Sequence, residues 1–136
     1  LFPYTTLFRS GNRDHHVSYS NPIWDIWQPV LLPVITQTTA SYRFRKPAYP
    51  KAMFARLTAG KVIDAHVDGA GSNLHTHKIH VPLQTNPDAL FTTNGETFHL
   101  KEGHAYEVNN IALHGVANRG DTDRIHFIFE VFDSEA

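Results

Sequence analysis

Past Pro50 the chain meets a turn signal roughly every ten residues, and this punctuation constrains its fold more than any other feature. Thr58-Ala59-Gly60 separates Met53–Leu57 (MFARL) from Lys61–Asp68, and Asn86-Pro87 stops Lys78–Thr85 (KIHVPLQT). Asn94-Gly95 stands between Leu90–Thr93 and Thr97–Leu100, a hairpin signal because both residues tolerate the positive φ of a tight turn. Ala105–Asn109, Gly115–Asn118 and Arg124–Phe132 complete the series, the last two joined through residues 119–123. Short strands with such turns between them indicate a sandwich or a barrel. A jelly roll is the expected form, since it manages its sheet edges and leaves a mouth for a ligand.

The segment before Pro50 has a different character. Ile23, Trp24, Ile26, Trp27, Val30, Leu31, Val34 and Ile35 recur near the helical period. Pro29 and Pro33 would interrupt one continuous helix, so the spacing predicts a short turn and then a helix from about Gln28. Its aromatic and aliphatic stripe suits a helix packed on the outside of a sheet better than a lid over a substrate. Residues 11–21 are polar and read as irregular. Leu1–Ser10 (LFPYTTLFRS) matches a translation of a common sequencing adapter, so these residues are expected to be foreign. On that reading residues 11–136 form a single domain whose natural N-terminus is missing.

Composition excludes several function classes. The 136 residues carry a net charge of -1 with no basic run, which gives no electrostatic case for nucleic acid or an anionic membrane. The longest strongly apolar stretch, Pro29–Ile35, is far too short to cross a bilayer, and a cytoplasmic location is expected. There are no cysteines, so a metal would have to be held by nitrogen and oxygen ligands. Of 10 histidines, seven fall between His66 and His114, and their spacing decides which of them matter.

In Ile63-Asp64-Ala65-His66-Val67-Asp68 an imidazole and a carboxylate stand two residues apart, which on a strand places them on one face. His114, at the start of a later strand, is the best third ligand. Two histidines and a carboxylate leave three positions open on an octahedral ion, as a non-haem Fe(II) oxygenase needs for oxygen and a bidentate co-substrate. A lone His-x-Asp pair is weak, and taken alone it better describes an exposed pair on a loop after Gly60. Arg124 changes the balance. Its strand alternates Ile125, Phe127 and Phe129 on one face with Arg124, His126 and Ile128 on the other, and an arginine turned inward must meet an anion. The anion is either a protein carboxylate, Asp121 or Asp123, or a ligand carboxylate matched to the guanidinium fork. Lys78 and His80 share one face of their strand, where they could serve a ligand carboxylate or keto group, although a salt-bridged Lys78 fits as well. His15, His16, His75, His77, His99 and His104 carry no partner pattern and read as surface residues.

Met53–Gly60 (MFARLTAG), Ile63–Gly69 (IDAHVDG), Lys78–Pro87, Glu102–Asn110 (EGHAYEVNN) and His114–Glu130, in that order, resemble the aspartyl/asparaginyl β-hydroxylase family. That family is a branch of the Fe(II)- and 2-oxoglutarate-dependent oxygenases. The likeness spans roughly residues 50–132. It implies a mainly β, double-stranded β-helix (jelly-roll, cupin-like) oxygenase domain with one or two flanking N-terminal helices. It also implies that His66 and His114 are iron ligands, with Asp68 as the third in the His-x-Asp pattern of bacterial proline-hydroxylase-like members. Arg124 takes the place of the arginine that anchors 2-oxoglutarate, and Lys78 and His80 fall where the family often has Arg-x-His. Lysine there keeps the charge but loses the bidentate fork. The implied activity is hydroxylation of an amino acid or peptidyl side chain, with Fe(II), 2-oxoglutarate and O2. The alternatives are a cupin-type metalloenzyme that uses no oxoacid and a non-catalytic jelly-roll module that binds a metal or carboxylate.

Overall fold

The computed structural model describes residues 4–12, 17–68 and 76–135. Ten strands and one long helix follow in order: β1 (Tyr4–Asn12), β2 (Val17–Ser20), α1 (Ile23–Thr39), β3 (Pro47–Leu57), β4 (Val62–His66) and β5 (His77–Gln84). Next come β6 (Ala89–Thr93), β7 (Glu96–His99), β8 (Tyr106–Glu107), β9 (His114–Asn118) and β10 (Arg124–Asp133). They form two antiparallel sheets, of order β2-β1-β3-β10-β5-β8 and β4-β9-β6-β7. This is the jelly roll expected from the strand punctuation, in the double-stranded β-helix form that the family resemblance implies.

The expected strands appear with shifted ends, each for a backbone reason. β3 reaches back past Pro50, which has no N–H to give a ladder, because the β3–β10 register slips between Glu130 and Phe132. β8 shrinks to Tyr106–Glu107, with the Val108 N–H bonded to the Lys78 carbonyl at 2.9 Å. Asn94 and Gly95 make the anticipated turn, at φ 50° and 79°. The polar stretch read as irregular contains β2, whose backbone groups are satisfied by pairing with β1. The segment expected to be foreign supplies most of β1, which pairs with β3 from Tyr4↔Arg56 to Arg9↔Ala52.

The expected break before Gln28 does not occur: α1 is one helix with Pro29 and Pro33 inside it. The two prolines lie four apart on the exposed face, and Asp25, whose carbonyl Pro29 leaves without its helical donor, is exposed as well. The opposite face is buried. Trp24, Leu31 and Ile35 join Ala52, Ile79, Phe127, Phe129 and Val131 in the main hydrophobic cluster, and Trp27 meets Phe54 edge-on at 5.1 Å. Each large side chain buried there contributes roughly 1.5–3 kcal/mol. The helix therefore packs on the outer face of the larger sheet, as its stripe predicted.

That packing uses every second residue of β10 and leaves the others pointing between the sheets. There Met53, Ala55 and Ile128 form one small cluster, and Leu57, Phe91, Leu100, Val108 and Val116 form another. The inward-facing polar residues of β5, β9 and β10 are thus trapped inside the barrel.

Candidate metal centre

β4 and β9 pair regularly from Val62↔Ala117 to Ile63↔Val116, then slip, so that His66 faces His114. Residues 64 and 65 together oppose Gly115, which makes a bulge. In an unbroken strand His66, three residues on from Ile63, would point to the opposite face. The extra residue reverses it, and His66 joins Ile63 inside the barrel. Gly115 eases this close approach: a Cβ there would be crowded at 3.0 Å from the Ile63 carbonyl oxygen and 3.3 Å from the Ala65 backbone.

The His66 and His114 rings lie 4.4 Å apart between centroids. In each, Nδ1 lies 2.8 Å from the carbonyl two residues earlier, Asp64 for one and Ala112 for the other. A carbonyl only accepts, so Nδ1 carries the proton and Nε2 is left with its lone pair. Both Nε2 atoms face Asp68 Oδ1, at 3.5 Å from His66 and 3.9 Å from His114. Across the set of three residues the potential ligand atoms lie within 4.8 Å of one another. Phe91 stacks on the His114 ring at 5.7 Å and 20°.

Asp68 itself is held from two sides. Its N–H donates to the Asn110 carbonyl at 3.0 Å, and its second oxygen accepts from the Lys78 ammonium. Burial by itself would raise the Asp68 carboxyl, but the Lys78 bond and charge outweigh it, aided by His114 and His66, and hold it below the usual carboxylate value. Lys78, buried on β5, therefore takes the salt-bridged place that its sequence left open, and its partner is a residue of the site.

Further into the barrel stands Arg124, 3% exposed, with burial lowering its guanidinium to about 10, so it remains a cation at neutral pH. Neither acidic neighbour in sequence neutralises it. Asp123 pairs with Arg56 at 3.0 Å and accepts from the Ala59 N–H. Among the described residues, no carboxylate comes within ion-pair distance of Arg124. Its contacts are to His126, Nε to Nε2 at 3.1 Å and Nη2 to Nδ1 at 2.8 Å, and His126 Nδ1 lies 3.3 Å from His80 Nδ1. Burial, then the charges of Arg124 and His99, pushes His126 down to about 2; burial and His126 with other neighbours keep His80 well below 6.5. Both rings are neutral.

All six residues singled out from the sequence (His66, Asp68, Lys78, His80, His114 and Arg124) line one recess together with Met53, Ile63, Phe91, Val116 and Ile128. The discounted histidines stay outside it: His77 bonds to Glu107 at 2.7 Å, and His99 and His104 to main-chain carbonyls. His15, His16 and His75 fall outside the described residues. Sequence reasoning missed His126, although its alternation with Arg124 and Ile128 on the inward face was the signal that could have found it.

A family model described as aspartyl/asparaginyl β-hydroxylase matches residues 28–134. A comparison with curated protein sequences returns no match. Among solved structures, an oxidoreductase of the 2OG-Fe(II) oxygenase family from Burkholderia pseudomallei is similar with a TM-score of 0.69 and 16% identity, over 94% of this chain and 67% of that one. A cupin domain from Bordetella pertussis is similar with a TM-score of 0.46 and 24% identity, over 63% of this chain and 91% of that one. At 16% identity the likeness to the Burkholderia pseudomallei protein speaks for the fold alone.

Proposed function

Because the chain belongs to the aspartyl/asparaginyl β-hydroxylase family, we propose that it is an Fe(II)- and 2-oxoglutarate-dependent dioxygenase that hydroxylates an amino acid or a peptidyl side chain. One observation carries the reading: a buried arginine with no carboxylate partner among the described residues shares a recess with an open His-Asp-His set. A buried cation without a counter-ion is costly, and a dicarboxylate reaching from the metal to Arg124 would supply one.

The donor set fits the ion. The two imidazoles turn Nε2 to the site, and Asp68 offers Oδ1 while Lys78 occupies Oδ2. These three residues would hold the ion on one face and leave the other positions for co-substrate and oxygen. Fe(II) bound there supplies, with O2 and 2-oxoglutarate, the oxidation that converts a substrate C–H to C–OH with release of succinate and carbon dioxide. The protein's groups position and insulate the site. The Asp64 and Ala112 carbonyls hold the two ring orientations, and Lys78 keeps Asp68 ionised. Arg124 fixes the far carboxylate of the co-substrate, and His80 stands beside its path. Met53, Phe91 and Ile128 keep the recess apolar between these polar groups.

The test is succinate formation by protein loaded anaerobically with Fe(II) and then given O2 and 2-oxoglutarate. The wild-type protein is expected to form succinate, stimulated by the amino acid or peptide it hydroxylates. His114→Ala should abolish it, and Arg124→Ala should raise the 2-oxoglutarate requirement by about a hundredfold or more, as expected when a charge-assisted bond is lost. Iron bound by the wild-type protein with no succinate formed, across a screen of amino acids and peptides, overturns the proposal.

A further inference from the structure

We infer that His126 is a positioning residue, one that joins Arg124 to His80 and holds both in place toward the oxoacid; this rests on the proposed 2-oxoglutarate reading. Arg124, His126 and His80 form a connected polar layer between the two sheets, on neighbouring strands β10 and β5. His126 is 1% exposed and is the member set back from the recess: His80 and Arg124 line it and His126 does not. It is too far inside to meet substrate, yet it touches both groups that face the co-substrate.

A neutral imidazole has one N–H and one lone pair, so His126 accepts from Arg124 at one of its nitrogens. Arg124 approaches the ring along one edge of the guanidinium, Nη2 to Nδ1 at 2.8 Å and Nε to Nε2 at 3.1 Å, and His126 Nδ1 lies 3.3 Å from His80 Nδ1. One buried ring thus sets the place of both groups that line the recess. His126 also occupies the Nε–Nη2 edge of the guanidinium, which leaves the other edge of the fork to take a carboxylate in two bonds. A phenylalanine at 126 would fill the same space and do neither.

Binding measurements on whole protein, loaded with Mn(II) as an oxygen-inert stand-in, separate these roles. Calorimetric titration of 2-oxoglutarate into His126→Phe is expected to show at least tenfold weaker binding than wild type, with Mn(II) affinity unchanged. His126→Gln, whose amide both donates and accepts, is expected to recover most of the loss. If His126→Phe binds 2-oxoglutarate as wild type does, His126 only fills space and the inference fails while the oxygenase reading stands. If wild-type protein binds Mn(II) but no 2-oxoglutarate, both fall together.

Discussion

Gly115 shows how much of the centre depends on one missing side chain. His66 reaches the inside of the barrel because residues 64 and 65 bulge past it, and the bulge would crowd a Cβ at 115 to 3.0 Å from the Ile63 carbonyl oxygen. Gly115→Val should flatten or displace the bulge and swing His66 away from Asp68 and His114. Loss of ligand orientation of this kind costs about ten- to a hundredfold in metal affinity. Titration of Mn(II) into Gly115→Val, alongside a circular dichroism spectrum like that of wild type, checks this; undiminished affinity would mean that His66 faces inward without the bulge. The candidate ligands, which the fold brings together, stood out in the sequence by their types and spacing, but the strand parity that aims His66 did not. A bulge is a property of two paired strands, and neither strand alone announces it. Lys78 was undecided for a similar reason. A strand pattern says that it faces inward, and only the folded chain brings it to Asp68.

The helix marks the limit of local rules at the next scale up. Its apolar stripe predicted the buried face correctly, but Pro29 and Pro33 were expected to stop it, since an interior proline costs roughly 3 kcal/mol relative to alanine. Burial of Trp24, Leu31 and Ile35 against the larger sheet outweighs that cost, and placing both prolines toward solvent limits it. Pro33→Ala should restore the N–H that the Pro29 carbonyl lacks. Allowing for the greater freedom of the unfolded chain without proline, about 2 kcal/mol of added stability is expected. Urea denaturation measures it, and an unchanged midpoint would show that the helix is already strained open at residue 33. The strands were legible because turn residues bound them on both sides. Their exact ends were not, because Pro50 is tolerated in β3 only through a slip in a partner more than seventy residues away in sequence.

For the molecule as a whole, the layer that serves the proposed co-substrate makes the fold sensitive to acid. His126 and His80 are buried neutral, the first with its pKa pushed down to about 2 and the second well below 6.5, by burial and neighbouring cations. In the unfolded chain both would titrate near 6.5. Between the two values the unfolded state binds more protons than the folded state, so stability rises with pH across that window and is lost as pH falls below 6.5. Asp68 has the opposite ordering of charge but the same direction of effect. Its depressed pKa gives stability that is present above the ordinary carboxylate range and disappears only as pH falls through the folded value, so it adds nothing to the slope near pH 6. The metal-free protein should therefore lose about 2 kcal/mol between pH 7 and pH 5.5, the sum of two sites that each approach about 1.4 kcal/mol per pH unit. His126→Phe should lose about half as much over the same interval, because one of the two suppressed protonations is gone. Urea unfolding at the two pH values compares both proteins. A wild-type stability that stays flat would mean that water reaches both rings, and equal losses in the two proteins would place the acid sensitivity elsewhere in the chain.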